Sequence, residues 1–472
     1  MKGWIKKLLL ALLIFVIVLV GFVGLQLSKI GPAATGYTAK MICSAIFVVG
    51  QTPGEAYQDF PDNPIKPLLK IKVDKENRTV TASLAGLCPR KAVFREGYGA
   101  TLVSAKGFLQ DLPPFPQDDF EANIDAEKLL WPQGELVSPE PLPEGVIAEK
   151  LQQALDNAFS EPNPETPRRT RAVVILKGER IVAERYGFGF TKDTPLLGWS
   201  MTKSIVNALV GILVGQGKLD IYSPAPVPEW SSPDDPRHAI TTDQLLRMSS
   251  GLEFLEDYGD LAGDAIQMLY VADCAAALAA NKPLVDAPDS VWHYSSGTAN
   301  IVARIVRETL GGAPEDYLAF PQRNLFAPLG MRGALLEPDP SGIFVGSSFT
   351  YATARDWARF GLFYLQDGVW NGKRVLPEGW VTYSRTPTPR APQGKYGAFF
   401  RMNAGIGGDP ATQPWPELPA DMYYAHGHDG QDVIIIPSRD LVIVRLGLSQ
   451  KKGAWDIGTF VGEVLEAFPV ER

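Results

Sequence analysis

Cysteine and histidine are both scarce, with three of the first and four of the second among 472 residues. Cys43, Cys88 and Cys274 are too few and too scattered to supply the closely spaced thiol and imidazole ligands of a zinc site, so no metal is expected. Basic blocks are missing beyond Lys2, Lys6 and Lys7, and the net charge is −8. Nothing is available to neutralise phosphates along a duplex, which excludes nucleic acid as a partner. No repeat of fixed period and no low-complexity tract is visible. Apolar residues at 45% and charged residues at 21% are the balance of an ordinary folded protein. The length exceeds what one hydrophobic core usually supports, so more than one unit is expected.

One long apolar run is present. Residues 8–25 (LLLALLIFVIVLVGFVGL) are uncharged and long enough to cross a bilayer as a helix. The run exceeds a signal-peptide core and ends in no clear cleavage site, which favours a retained anchor over a cleaved signal. The lysines before it place the N-terminus in the cytoplasm. The expectation is a single-pass protein of the inner membrane, anchored through residues 1–35, with its remainder periplasmic or extracellular. In that oxidising setting Cys43 and Cys88 could pair, whereas Cys274, in VADCAAALAA, reads as a small buried helix residue.

Residues 36–140 carry short β-type runs (IKVD, TVTASLAGL, KAVFREGYGATLV) and then a segment rich in proline and acidic residues. A small β-rich domain followed by an extended, solvated linker is expected. The region 141–472 reads as one larger domain. A helix over 145–159 precedes a hairpin around Lys177-Gly178, helices are expected at 201–216, 242–248, 261–281, 298–310 and 353–366, and the strands DVIIIP and LVIVRLG precede a helix near 454–467. Strands at both ends with helices between them predict an α+β fold: one antiparallel sheet flanked by helices, plus an all-helical lobe.

Three stretches carry chemistry. In Gly198-Trp199-Ser200-Met201-Thr202-Lys203 the lysine follows the serine by three positions at a helix start, so the two share a face. A serine hydroxyl needs a base, and a lysine can act as one where burial or neighbouring charge favours its neutral amine. In His293-Tyr294-Ser295-Ser296-Gly297, Tyr294 is the candidate second base or proton relay. In Tyr424-Ala425-His426-Gly427-His428-Asp429-Gly430-Gln431, a glycine-bounded strand lets backbone N–H groups approach a substrate carbonyl. The i,i+2 pair His426 and His428 invites a metal reading, but no further ligand accompanies it.

Taken together, these stretches resemble the penicillin-recognising serine hydrolase superfamily. The chain is most similar to its class C β-lactamase-related branch, which includes esterases, D-amino-acid peptidases and 6-aminohexanoate-dimer hydrolases. LLRMSSGLEF, SFTYATARDWARFGLFYLQDGVWNGKRVLPEGW and GQDVIIIPSRDLVIVRLG extend the resemblance over roughly 145–470. It implies a β-lactamase/transpeptidase-like fold, acylation of Ser200, proton shuttling by Lys203 and Tyr294, and an oxyanion hole from the N–H groups of Ser200 and His428. It also implies substrate contacts from Ser296, His426 and Gly427, and no cofactor. Ser296 stands where an asparagine is usual, and Ala425-His426-Gly427 falls on the Lys-Thr-Gly of true β-lactamases. The missing lysine argues against β-lactam hydrolysis and toward a small ester, amide or peptide. In the 6-aminohexanoate-dimer hydrolases a loop tyrosine closes over the substrate, and Glu256-Asp257-Tyr258 looks similar, which implicates Tyr258. A cell-wall D-Ala-D-Ala-type peptidase, a β-lactamase, or a catalytically silent envelope-binding relative are the alternatives.

Overall fold

The computed structural model describes residues 2–104, 106–107, 109–115 and 125–469. Helix α1 runs from Lys2 to Phe47, so residues 36–47, expected within the β-rich unit, are helical. The reason lies in its small residues. Ala33, Thr35, Ala39, Cys43 and Ser44 are fully buried, and their size lets the helix lie close against a sheet. At the other end Leu8, Leu9, Leu10, Leu12, Leu13, Ile14 and Phe15 are exposed. The expected span at 8–25 is only partly covered, because the side chains of 16–26 lie outside the description. Among the described residues no helix is long and apolar enough to cross a membrane.

After α2 (Pro53–Asp59), four strands form an antiparallel meander: β1 (Leu69–Asp74), β2 (Thr79–Leu84), β3 (Leu87–Arg95) and β4 (Gly99–Leu102). Cys43 and Cys88, whose pairing the sequence left open, are both free. Cys88 sits against Gly31 and Leu27, and Thr35 Oγ1 donates to its carbonyl at 2.7 Å. Cys43 lies eight residues past Thr35, about 12 Å further along the helix axis.

The expected solvated linker is corrected over residues 125–136, its part at 116–124 lying outside the described residues. Residues 125–136 dock on the larger domain through two guanidinium groups. Arg359 donates to the carbonyls of Pro132 (2.9 Å) and Gly134 (2.8 Å), while Arg355 and Arg359 both pair with Glu135. Arg359 is 1% exposed, and a buried cation needs those acceptors, which fixes the segment in place.

The larger domain begins with α3 (Ala148–Phe159), whose Leu151, Ala154, Leu155 and Ala158 recur at helical spacing and are buried. It packs on the hairpin β5 (Thr170–Lys177) and β6 (Arg180–Tyr186). The lobe between the terminal strands includes α4 (Thr202–Gly215), α5 (Asp264–Tyr270), α6 (Ala275–Ala280), α7 (Ser296–Thr309) and α8 (Ala354–Leu365). The single helix expected over 261–281 is thus two. Cys274, read as a buried helix residue, is extended (φ −134°, ψ 109°) and caps α6 by accepting from the N–H of Ala277 at 3.4 Å.

The chain returns through β7 (Arg401–Met402), β8 (Tyr423–Gly427), β9 (Gln431–Ile436) and β10 (Leu441–Gly447), and ends in α9 (Ile457–Glu466). These strands join β5 and β6 in a six-stranded sheet of order β7-β8-β9-β10-β5-β6. All its pairs are antiparallel, with β10 opposite β5 (Ile443 against Ile175). Alternation divides the sheet between two cores. Val173, Ile175, Ile434 and Ile443 face α3 and α9, while Val174, Val433, Val442 and Val444 face α8 and the lobe.

Candidate active site

A single 3-10 turn, Trp199–Met201, leads into α4, so the helix begins one residue later than expected and Ser200 still lies one turn before Lys203. Ser200 is partly exposed, whereas Lys203 is 1% exposed. Lys203 Nζ donates to Ser200 Oγ (3.0 Å), Ser296 Oγ (3.1 Å) and the carbonyl of Ser347 (3.1 Å), one bond for each N–H of an ammonium. Nζ also stands 4.9 Å from the centroid of the Tyr294 ring, over its face. Serine, lysine and tyrosine therefore converge. The lysine meets the ring rather than donating to the phenol.

Behind Lys203 lies a carboxylate. Ser296 opens α7, and its hydroxyl donates to Glu256 Oε1 at 2.5 Å while its N–H donates to Oε2 at 2.7 Å. A carboxylate at a helix N-terminus gains from the free N–H groups and the dipole there. Tyr258 donates to the same carboxylate at 3.1 Å, and its oxygen lies 3.2 Å from Ser296 Oγ. Burial and the neighbouring Glu256 hold the Tyr258 phenol well above its ordinary pKa, so it remains a donor. A continuous path Ser200–Lys203–Ser296–Glu256 results.

The third segment closes the site from the sheet. Gly427 is required where it stands, since a Cβ there would lie 2.1 Å from the carbonyl oxygen of Gly198. That approach brings His428, the next residue, beside Trp199, which has a left-handed φ of 48°. The His428 ring meets Trp199 edge-on at 5.6 Å and stacks under Tyr258 at 5.5 Å. Asp429 is drawn above the ordinary carboxylate range by burial, against the pull of His428, Arg171 and Arg445. His426 points elsewhere, its Nδ1 donating to the buried Asp432 at 2.7 Å. The two histidines do not share a ligand position, and among the described residues no group of three His, Cys, Asp or Glu is arranged to hold a metal.

The Beta-lactamase family model matches residues 155–454, more than half of the chain. The chain belongs to the β-lactamase family. It is 29% identical over 228 residues to the 6-aminohexanoate-dimer hydrolase of Paenarthrobacter ureafaciens, an alignment covering 45% of this chain and 56% of that protein. The chain thus spans little more than half the length of that curated relative. Among solved structures, a putative 6-aminohexanoate-dimer hydrolase from Bacillus anthracis superposes with a TM-score of 0.52 at 20% identity, covering 67% of this chain and 80% of that one. A putative β-lactamase from Bacteroides dorei gives 0.53 at 18%, covering 68% and 97%. EstCE1, a hydrolase with promiscuous acyltransferase activity, gives 0.52 at 14%, covering 68% and 98%. These likenesses support the α+β β-lactamase/transpeptidase-like fold, here preceded by an N-terminal β unit.

In this β-lactamase-family hydrolase two charged neighbours of the site escaped the sequence reading. Glu256 stood in the quoted loop beside Tyr258, but nothing in its spacing tied it to Ser296. Arg401, whose guanidinium carbon lies 5.5 Å from the Tyr294 ring centroid, belongs to a two-residue strand with no periodicity to detect. The hydrolase also holds a cleft between α1, α2 and the larger domain, lined by Tyr37, Met41, Phe60, Trp199 and Tyr351 among others. Trp199 lines this cleft and Ser200 does not.

Proposed function

We propose that the chain hydrolyses small esters or amides through an acyl-enzyme on Ser200. The observation that carries this reading is the 3.0 Å bond between Lys203 Nζ and Ser200 Oγ, with the Tyr294 ring beside it. The ammonium passes one proton through the Ser296 hydroxyl to Glu256, and the freed amine takes the proton of Ser200 as Oγ bonds to the carbonyl carbon. The N–H groups of Ser200 and His428 receive the negative oxygen. Collapse breaks the bond to the leaving alcohol or amine, which takes a proton from Tyr294. Lys203 restores that proton through an intervening water, and a second water then attacks the acyl-enzyme, its proton passing to the Lys203 amine, while Glu256 returns its proton through Ser296 and Lys203 to Ser200 Oγ as the acid is released. The chemistry calls for no cofactor.

Fluorophosphonate labelling followed by intact mass tests the reading. The expected result is one adduct on the wild type and none on Ser200→Ala, with turnover of p-nitrophenyl esters and negligible cleavage of nitrocefin. A folded wild type that takes no label, or a Ser200→Ala variant that still does, would overturn it. Ala425 in place of a lysine supports the nitrocefin expectation, because no cation stands at that point of β8 to hold a β-lactam carboxylate.

We also propose that the N-terminal end of α1 sits in the inner membrane, with the catalytic domain on its far side. The uncharged run 8–25 and the exposed apolar side chains from Leu8 to Phe15 support this. The full chain is then expected to sediment with membranes and resist carbonate washing, and release by carbonate would count against it.

A further inference from the structure

We infer that the acyl half of the substrate is an unbranched apolar chain lying in the cleft between α1, α2 and the larger domain, an inference that rests on the acyl-transfer reading above. Tyr37, Met41 and Ala45 of α1 and Phe60, just past α2, line the cleft from the N-terminal unit, and Trp199 and Tyr351 line it from the larger domain. The family match begins at residue 155, so the first set of residues is an addition of this chain to the matched domain.

Position selects the half of the substrate. The N–H groups of Ser200 and His428 are assigned to the negative oxygen, and a chain neighbour of each, Trp199 and Asp429, lines the cleft. Tyr294, assigned to the leaving group, does not line it, and neither do Tyr396 and Arg401 beside that ring. A carbonyl seated between the two N–H groups therefore has its leaving half toward Tyr294 and its acyl half toward Trp199 and the cleft.

The lining selects the chemistry of the chain. Most of the side chains that face the cleft are apolar or aromatic, and the charged ones already have partners. Arg171 pairs with Asp59, which also accepts from Gln51 Nε2 at 2.6 Å, and Asp429 Oδ1 lies 3.3 Å from His428 Nε2. An ionised group entering the cleft would lose its hydration and meet charges committed elsewhere, whereas each methylene that leaves water there gains about fourfold in binding. Tyr37 is fixed edge-on to Tyr270 at 4.9 Å and tilted against Phe60 at 5.1 Å, so this aromatic surface is in place before a ligand arrives. Ile42, Phe60, Trp199 and Tyr351 are buried although they line the cleft, which makes it narrow and suits a linear chain better than a ring. Preferred substrates are therefore esters or amides of linear carboxylic acids longer than acetate, and the acid released carries an apolar tail.

Two esters that share a leaving group test this: p-nitrophenyl acetate and p-nitrophenyl hexanoate. The quantity to read is the ratio of their kcat/KM values, hexanoate over acetate. The wild type is expected to favour hexanoate by about tenfold or more, and Ala45→Trp, which fills the cleft from α1, should lower the ratio by about tenfold. A wild-type ratio at or below unity, or a ratio unchanged in Ala45→Trp, overturns the inference. A second readout needs only the wild type, so it stands even where the larger side chain unseats α1. A fluorophosphonate whose linear alkyl chain ends in a diazirine is attached to Ser200 and illuminated, and its cross-links are mapped by peptide mass spectrometry. Cross-links within residues 37–60 support the inference, and a pattern that misses them overturns it. Labelling of Ser200 with cross-links only elsewhere sinks the pocket alone. A protein that takes no label and hydrolyses neither ester would remove the acyl-transfer reading, and the pocket with it.

Discussion

Lys203→Met is expected to lower p-nitrophenyl ester turnover by on the order of 10³-fold, and the rate of fluorophosphonate labelling by a similar factor. Methionine matches the lysine in reach and tolerates burial, so the pocket between Ser296 and the Ser347 carbonyl stays filled while the base is lost. Circular dichroism and the melting temperature separate this from misfolding. Glu256→Gln extends the series, because it keeps Lys203 and the shape of the loop but removes the carboxylate that receives the proton from Ser296. A smaller loss of roughly tenfold is expected there, in kcat more than in KM. A Lys203→Met enzyme retaining more than about a tenth of wild-type turnover would mean that another group activates Ser200.

The second large effect concerns the joint between the N-terminal unit and the catalytic domain. Lys40 on α1 forms an ion pair with Glu337, a residue of the larger domain, and both are essentially excluded from solvent. Ser44 Oγ (2.9 Å) and the N–H of Ala100 (2.7 Å) donate to the same carboxylate, so α1 and β4 both converge on Glu337. Lys40 Nζ also sits 4.1 Å from the centroid of Phe349, whose ring neighbours Trp199 at 6.3 Å. Removing one member of a buried pair strands the other, so Lys40→Met should cost about 3–5 kcal/mol at neutral pH. The double variant Lys40→Met/Glu337→Gln should recover most of it, because no buried charge remains.

The pH dependence has a definite sign. Burial raises the Glu337 carboxyl above its ordinary value, with Lys40 the first force opposing that rise. Without Lys40 the folded-state pKa climbs further. The penalty is then absent at low pH, where the carboxyl is protonated in folded and unfolded chains alike. It grows as pH rises through the unfolded value toward the folded one. Guanidinium unfolding midpoints of the wild type and variant at pH 4 and pH 8 check this. A deficit that is equal at both pH values would show that Glu337 does not carry the effect.

How far each feature could be read depends on its distance along the chain. Ser200 and Lys203 were legible because one helical turn joins them, and a 3-10 start in place of an α-helical one did not change which face they share. The alternating strands 170–177 and 441–447 were legible because burial of both faces leaves apolar runs of the right length. The break at Cys274 was not, since Ala-rich sequence favours helix on either side and only the extended backbone at the cap interrupts it. The docked segment 125–136 looked solvated because its acidic and proline content hides the two arginines, more than 200 positions later, that accept it.

By itself, then, the sequence determined most of the elements and the meeting of Ser200 with Lys203, because hydrophobic periodicity and helical spacing act within a few residues. Tertiary structure alone decided which charges meet: Glu256 behind Ser296, Lys40 against Glu337, and Arg401 beside Tyr294. Electrostatic partners are chosen by proximity in space and by the cost of burying a charge unpaired, and neither leaves a periodic mark on the chain.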